Sequence, residues 1–273
     1  MPTRDRSCKP GLTGILLWAL SCSTALAADF RGAAPALAPA RGAYVSLFGG
    51  GGANIVDFTQ LGTVFFTEAE GGPMSVNATG RGKTAGVGFV GLQVGHEWSY
   101  GASLLPAFEI EGLYLAGTQR ATLNNPTDRL PEHTFDNSFP MRNAVLLANF
   151  VLGFRTSYPS VTPYVGAGVG AARVAVHGAN SAQIGPPEAG INHFNSGTDS
   201  SAWTFAAQAK AGVRFALGNN AYVFGEYRYL YIGATDQIFG PTTYPTHAPT
   251  SAWTVRFGDM SNHLGAAGIG FRF

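Results

Sequence analysis

The sequence predicts an all-β fold, an antiparallel up-and-down β-barrel of eight strands, on three observations. Apolar and polar residues alternate with a period of two in eight segments. The connections between these segments are alternately short and long. Beyond the N-terminal region, the longest apolar run, residues 144–154, is too short to cross a membrane as a helix. The eight segments are residues 43–54, 83–98, 103–118, 141–156, 161–176, 202–217, 221–236 and 254–273.

The connections indicate which end of the barrel faces which compartment. Short turns lie near residues 99–101, 158–160 and 218–220, whereas long connections cover residues 55–82, 119–140, 177–201 and 237–253. Outer-membrane barrels show this asymmetry, with tight periplasmic turns and long extracellular loops. Ten strands are the alternative, if residues 55–82 contribute a hairpin such as one around residues 64–67.

The N-terminal region predicts export. Basic residues precede a short apolar core at residues 12–20, and Ala25 and Ala27 fit the small-residue pattern of a signal peptidase site. We therefore expect a signal peptide at residues 1–27 that is cleaved after Ala27, with Ala28 as the neighbouring alternative. Both cysteines, Cys8 and Cys22, fall inside this segment, so the mature chain is expected to contain no disulfide.

Two further segments follow in the predicted domain organisation. Residues 28–42 are rich in alanine and proline and are expected to be a periplasmic lead-in, while residues 43–273 form the barrel. Charged residues make up only 12% of the chain, about half the usual share for a soluble domain. The 17 basic and 16 acidic residues leave a net charge of only +1, which argues against nucleic acid as a partner.

The alternation predicts which face of each strand meets lipid. In residues 202–217, Gln208, Lys210 and Arg214 share one face and small or apolar residues take the other. A basic side chain on the lipid face would cost about 2–4 kcal/mol at mid-bilayer, so the polar face is expected to point inward. By the same alternation, the other inward polar residues are predicted to be Gln93, Glu97, Asn143, Asn149, Arg155, Glu226 and Arg228.

The predicted interior carries charges of both signs. Because an eight-stranded barrel is just wide enough for side chains to fill it, these charges are expected to pair as a network that plugs the barrel and fixes its register. The predicted carboxylates are Glu97, Glu109, Glu111 and Glu226, and their predicted partners are Arg155, Lys210, Arg214, Arg228 and Arg256.

The stretch VTPYVGAGVGAARV, residues 161–174, has the glycine spacing of a dinucleotide-binding loop. That fingerprint requires a helix after the glycines, but alternating valines follow instead and leave no room for one. The stretch therefore predicts a strand whose Gly166, Gly168 and Gly170 make room inside a narrow barrel or allow sharp curvature.

Three motifs, TPYVGAGVG, FGEYRYLYIG and the terminal HLGAAGIGFRF, resemble strands of the small opacity-type outer-membrane β-barrel family of Gram-negative bacteria. The resemblance spans residues 43–273 and implies a transmembrane barrel in the cell outer membrane, in contact with lipid and lipopolysaccharide. It also implies that the barrel-insertion machinery reads Phe273. The family has no single activity, and the partner of the extracellular loops is not identified.

We expect a structural or surface-interaction role, in which the protein supports envelope integrity and its loops make contacts. The alternatives are a small porin-like channel and a lipid A-modifying enzyme that uses His177, Ser181 and Glu188. The protein is not expected to be an enzyme, and no catalytic residue, cofactor site or metal site is predicted. The six histidines show no metal-ligand spacing such as H-x-x-x-H.

Aromatic residues outside the apolar faces fall into two groups. Those at the inner strand ends are expected to sit at the periplasmic membrane interface, namely Trp98, Tyr100, Tyr158 and Tyr222. Those in the long connections are expected to pack within the loops rather than to contact a partner, namely Phe65, Phe66, Phe135, Phe194 and Tyr244.

Overall fold

A computed structural model describes residues 42–99, 103–125, 129 and 133–273. The predicted signal peptide, almost all of the lead-in and Tyr100 lie outside the described residues. None of the described residues forms a helix long and apolar enough to cross a membrane. The strands are β1 Ala43–Ile55, β2 Asp57–Val64, β3 Met74–Arg81, β4 Ala85–Glu97, β5 Leu104–Asn124, β6 Thr134–Phe154, β7 Val161–Val176, β8 Asn180–Gly185, β9 Ser200–Leu217, β10 Ala221–Ile232, β11 Thr235–Phe239, β12 Trp253–Phe257 and β13 Met260–Arg272.

Eight of these strands close into a ring, which confirms the predicted barrel. Each pairs antiparallel with its neighbours in the order β1, β4, β5, β6, β7, β9, β10 and β13. The ring closes because β1 pairs with β4 on one side and with β13 on the other. A closed ring leaves no strand edge whose backbone amides and carbonyls lack partners, as a hydrocarbon environment requires.

The other five strands lie outside the ring. The first long connection does form a hairpin, β2 and β3, but it pairs with β12 and touches only the far end of β5. The ten-strand alternative is therefore wrong. The predicted segment 254–273 is also wrong as a single strand, because strand pairing is interrupted at residues 258–259, between β12 and β13, where the Gly258 amide donates to the Asp57 carbonyl (2.8 Å).

The barrel is asymmetric along its axis. Both termini of the ring and the short turns lie at one end, here called the inner end, and the long connections lie at the outer end. Strands β5 and β6 are each 21 residues long, about twice the 9–11 residues that cross a bilayer. Their outer halves therefore extend beyond the membrane. Together with β2, β3, β8, β11 and β12 they form a second wall, which we call the outer extension.

Hydrogen bonds between two connections close the outer extension where strand pairing stops. The segment before β9 contacts the segment after β11: the Gly240 amide donates to the Gly197 carbonyl (2.8 Å), and the Thr242 hydroxyl donates to the His193 carbonyl (2.9 Å). Asn195 exchanges hydrogen bonds with Thr243. The outer extension is thus an ordered continuation of the barrel rather than a set of separate loops.

Burial follows the predicted alternation around the ring. Gln93, Asn149, Lys210 and Arg228 are buried inside, whereas the exposed face is apolar. The expectation that Tyr222 lies at the periplasmic membrane interface is wrong. Tyr222 is buried in the barrel interior, where its hydroxyl is 2.6 Å from the Ser46 hydroxyl. Large exposed apolar residues on the ring include Leu47, Val90, Leu92, Phe108, Leu146, Phe150, Val169, Trp203, Phe205, Phe215, Tyr227 and Phe271.

Strand β7 contains the glycine-rich stretch and is a strand along its whole length, as predicted. A methyl group on Gly168 would lie 1.8 Å from Asn149 Oδ1, and one on Gly170 would lie 1.9 Å from the Leu146 carbonyl oxygen. These glycines therefore allow β6 to approach β7 closely, which confirms that they serve packing in the barrel.

Candidate functional site

The interior of the ring is filled by a network of buried charged side chains. Lys210 on β9 lies at its centre, where its ammonium group pairs with Glu109 and lies 3.1 Å from Glu111 Oε2. All three side chains are almost completely buried. Their inward positions follow from the period-two alternation, because each strand of the ring directs alternate residues into the interior, where β5 and β9 face each other.

Towards the inner end, Arg214 continues the network. Its guanidinium group lies 2.8 Å from Glu97 and 3.3 Å from Glu109. The guanidinium also lies over the ring of Tyr164, with 4.6 Å to the ring centroid, as in a cation–π contact. Arg272 on the last strand lies 3.8 Å from the same Glu97 carboxylate.

Towards the outer end, Arg228 pairs with both Glu111 and Glu226. The hydroxyl of Tyr164 donates to Glu226 (2.7 Å), and that of Tyr44 donates to Glu109 (2.6 Å). The amide of Gln208 donates to Glu111 (3.1 Å). These uncharged donors supply the additional hydrogen bonds that buried carboxylates need.

The network balances in charge, since the carboxylates Glu97, Glu109, Glu111 and Glu226 meet Lys210, Arg214, Arg228 and Arg272. Two predicted partners are wrong. Arg155 lies past the end of β6, where it is exposed and donates to Ser99 (3.0 Å), and Arg256 is exposed beside Asp236. Arg272 was not predicted as a partner, although its alternation within β13 places it on the inner face.

A cluster of five phenylalanines fills the outer extension. Phe139 on β6 stands at its centre, stacked on Phe58 at 5.1 Å between ring centroids and edge-on to Phe257 at 4.9 Å. Phe194 and Phe239 stack on each other at 4.7 Å and contact the same central ring. The cluster bears out the expectation that Phe194 packs within the loops, and Phe135 is buried as well. Phe65 is half exposed.

A pocket lined by both polar and apolar residues lies beside this cluster at the outer end. It has a volume of ≈ 210 Å³, and Glu188, His193 and His247 contribute to its lining. Glu188 Oε2 lies 3.5 Å from His193 Nε2 and 3.7 Å from His247 Nε2. One potential ligand atom from each residue lies within 4.8 Å of the others. The three residues come from two connections, residues 186–199 and 240–252.

Backbone contacts fix both imidazole rings. His193 Nδ1 lies 2.9 Å from the Ser181 carbonyl oxygen, and His247 Nδ1 lies 2.6 Å from the Ala248 carbonyl oxygen. A carbonyl oxygen can only accept, so each Nδ1 donates and carries the hydrogen in the neutral ring. Burial also lowers the pKa of His193 below its usual range.

The predicted catalytic group is not assembled. His177 is exposed and lies beside Asp199, with 3.2 Å between Nδ1 and Oδ2, rather than beside Ser181. Ser181 is fully buried, and its hydroxyl has no hydrogen-bond partner among the described residues. Glu188 faces His193 and His247 instead. Sequence reasoning missed this pairing, because no local spacing connects Glu188 and His193 with His247.

A closed antiparallel ring with an apolar outer face and a polar, charge-paired interior defines an integral outer-membrane β-barrel protein. The family described as "Outer membrane protein beta-barrel domain" matches residues 15–273, and the chain belongs to this family. The protein is accordingly located in the outer membrane. No curated protein matches the sequence.

Several solved structures are similar in fold. Neisserial surface protein A is 16% identical, with 85% of this chain and 97% of that chain covered and a TM-score of 0.38. OprG from Pseudomonas aeruginosa is 13% identical, with 87% and 99% covered and a TM-score of 0.45. The outer-membrane protease OmpT from Escherichia coli is 9% identical, with 84% and 97% covered and a TM-score of 0.43.

Proposed function

We propose that this protein is a closed structural barrel that displays a rigid folded surface outside the cell and does not act as a diffusion pore. The observation that carries the proposal is the filled interior. The neutral charge network occupies the ring, and the phenylalanine cluster occupies the outer extension.

The charge network opposes ion flow because an ion would have to displace pairs that are already satisfied. Removing one partner of a buried pair leaves an uncompensated charge, at a cost of about 3–5 kcal/mol. Between the network and the phenylalanine cluster lies a cavity of only ≈ 10 Å³, to whose lining Asn54, Asn143 and Asn262 contribute. A volume of that size holds about one water molecule.

The outer extension supports the surface part of the proposal. Its strands continue the barrel beyond the membrane, and its core is apolar and fully buried. A rigid platform of this kind presents its rim to lipopolysaccharide and to other molecules at the cell surface. At the inner end, the Phe273 ring is 74% exposed, which is compatible with its proposed recognition by the barrel-insertion machinery.

The lipid A-modifying alternative has no assembled catalytic group to support it, because Ser181 is buried and His177 faces Asp199. We therefore expect cells that express the protein to show unchanged lipid A masses. A mass change that disappears in the Ser181→Ala variant would establish the enzymatic role instead.

Planar-bilayer recording of the purified protein tests the closed barrel. We expect at most small and infrequent conductance steps, and stable large channels would refute the proposal. Lys210→Ala combined with Arg228→Ala removes two central cations and serves as the opened control. Slower migration of each sample in detergent gels after boiling verifies that the barrels are folded before recording.

A further inference from the structure

The pocket at the outer end brings three potential metal-ligand atoms together, one each from Glu188, His193 and His247. Because Nδ1 of each ring is held by a backbone carbonyl, Nε2 of His193 and Nε2 of His247 are the ring atoms that face the pocket. Glu188 Oε2 faces both of these atoms, and it is buried without a hydrogen-bond partner among the described residues. A cation between the three atoms would bind all of them at once.

We propose that Glu188, His193 and His247 form a binding site for a divalent transition metal, with Zn²⁺ as the best-fitting ion. Two imidazole nitrogens and one carboxylate oxygen are a known protein ligand set for Zn²⁺, with a fourth position left to water. This inference departs from the expectation of no metal site, and it is independent of whether the barrel conducts ions.

The distances suit a metal of this size. Zn–N bonds of about 2.0–2.1 Å and Zn–O bonds of about 2.0–2.2 Å in a tetrahedron place ligand atoms roughly 3.3 Å apart. The observed separations from Glu188 Oε2, 3.5 and 3.7 Å, need only small side-chain movements to reach that value. The adjoining pocket of ≈ 210 Å³ has room for a metal-bound water.

The surroundings hold the ligands as zinc sites usually do. A metal-bound histidine commonly donates its other ring N–H to a backbone carbonyl, which fixes its tautomer and orientation, and both imidazoles do so here. The backbone amide of Glu188 donates to the Gln183 carbonyl (3.2 Å), and the amide of His247 donates to the Tyr244 carbonyl (3.2 Å). The segment that carries Glu188 is thus anchored to β8, and the segment that carries His247 is anchored within its own connection.

A metal at this site would connect the two connections that close the outer extension. Asn192, next to His193, already accepts hydrogen bonds at Oδ1 from the amides of Ser181 and Phe194 (3.0 Å each). The backbone amide of Asn192 donates to the hydroxyl of Tyr244 (3.2 Å), which lies on the other connection. The metal adds a stronger link across the same junction, at the surface that faces the cell exterior.

Zinc binding to the folded protein in detergent tests this site, with isothermal titration calorimetry giving stoichiometry and affinity. We expect one Zn²⁺ per chain in the wild type, and affinity at least about tenfold weaker in Glu188→Gln and His247→Ala. His177→Ala is the matched control, since it removes a loop histidine that lies outside the site, and it should bind as the wild type does. No saturable binding to the wild type, or wild-type affinity in both site variants, overturns the proposal.

A second measurement on the wild type does not depend on variants folding. Co²⁺ added in place of Zn²⁺ should give the intense visible d–d bands of tetrahedral coordination, and Zn²⁺ should abolish them by displacement. The weak spectrum of six-coordinate Co²⁺, or bands that Zn²⁺ does not displace, would overturn the assignment.

Discussion

Phe139 of β6 and Phe257 of β12 pack edge to face, with 4.9 Å between their ring centroids. Phe139 extends from a strand of the barrel ring, whereas Phe257 belongs to a short strand that pairs only with other parts of the outer extension. The contact therefore fastens the outer extension to the ring, in the water-exposed part of the molecule where burying apolar area is favourable.

Phe139→Ala should destabilise the outer extension without opening the ring. Truncating a fully buried phenylalanine costs about 3–5 kcal/mol, because the cavity it leaves is only partly refilled. We expect faster proteolysis within residues 177–199 and 240–252, while the bilayer conductance stays low because the charge network remains. Phe65→Ala, at a half-exposed ring, is the control and should leave the proteolysis rate unchanged. Equal proteolysis of the two variants would contradict the central role of Phe139.

The ring was predictable from sequence because its determinant is local. Because one face of each strand meets lipid and the other meets the filled interior, apolar and polar residues alternate along the strand. The inward positions of Lys210, Arg214 and Glu226 can therefore be read from this alternation. The alternation no longer predicts inward positions beyond a point where it is interrupted. At the break between β12 and β13 the inward positions change from odd to even residue numbers, so Arg256 points outward whereas Arg272, sixteen residues later, points inward.

The outer extension and its pocket were not predictable in the same way. Its strands β8, β11 and β12 are only five or six residues long and follow connections rich in turn-forming residues. Its core unites phenylalanines from distant segments, which no periodic pattern relates. The candidate metal ligands could not be predicted for the same reason. A sequence motif of fixed spacing detects ligands on one element, whereas His193 and His247 lie on different connections.

Gly170→Ala tests the close approach of β6 and β7. The added methyl group would lie 1.9 Å from the Leu146 carbonyl oxygen, which is backbone and cannot turn aside. We expect a loss of about 1–3 kcal/mol in the free energy of unfolding, measured by urea titration in lipid vesicles. Gly88→Ala provides the comparison, since nothing lies within 4 Å of the added atom there. A loss no larger than that of the comparison would show that β7 shifts freely.

The turn before β9 should respond to acid only at low pH. Asp199 accepts a hydrogen bond from the Gly178 amide (2.8 Å), and this bond, followed by one from His177, lowers the pKa of the carboxyl group. Because the pKa is lowered, the stabilisation that this hydrogen bond provides is complete above the usual carboxyl pKa of about 3.9. It is lost as the pH falls through the lower pKa of the folded protein. An NMR titration should therefore show the Gly178 amide shift moving with a midpoint below about 3.9. A midpoint at or above this value would contradict the assignment.

Lys210→Met tests whether the buried charge network determines the stability of the ring. Methionine keeps much of the side-chain volume but leaves Glu109 and Glu111 without their shared ammonium group. Breaking a buried pair in this way costs about 3–5 kcal/mol, so the urea midpoint in lipid vesicles should fall markedly. Arg81→Ala is the control, because its partner Asp57 and its own side chain are largely exposed. Such a surface pair contributes less than about 1 kcal/mol. If the two variants unfold at the same urea concentration, the network fills the barrel without stabilising it, and the closed interior must then be attributed to side-chain volume alone.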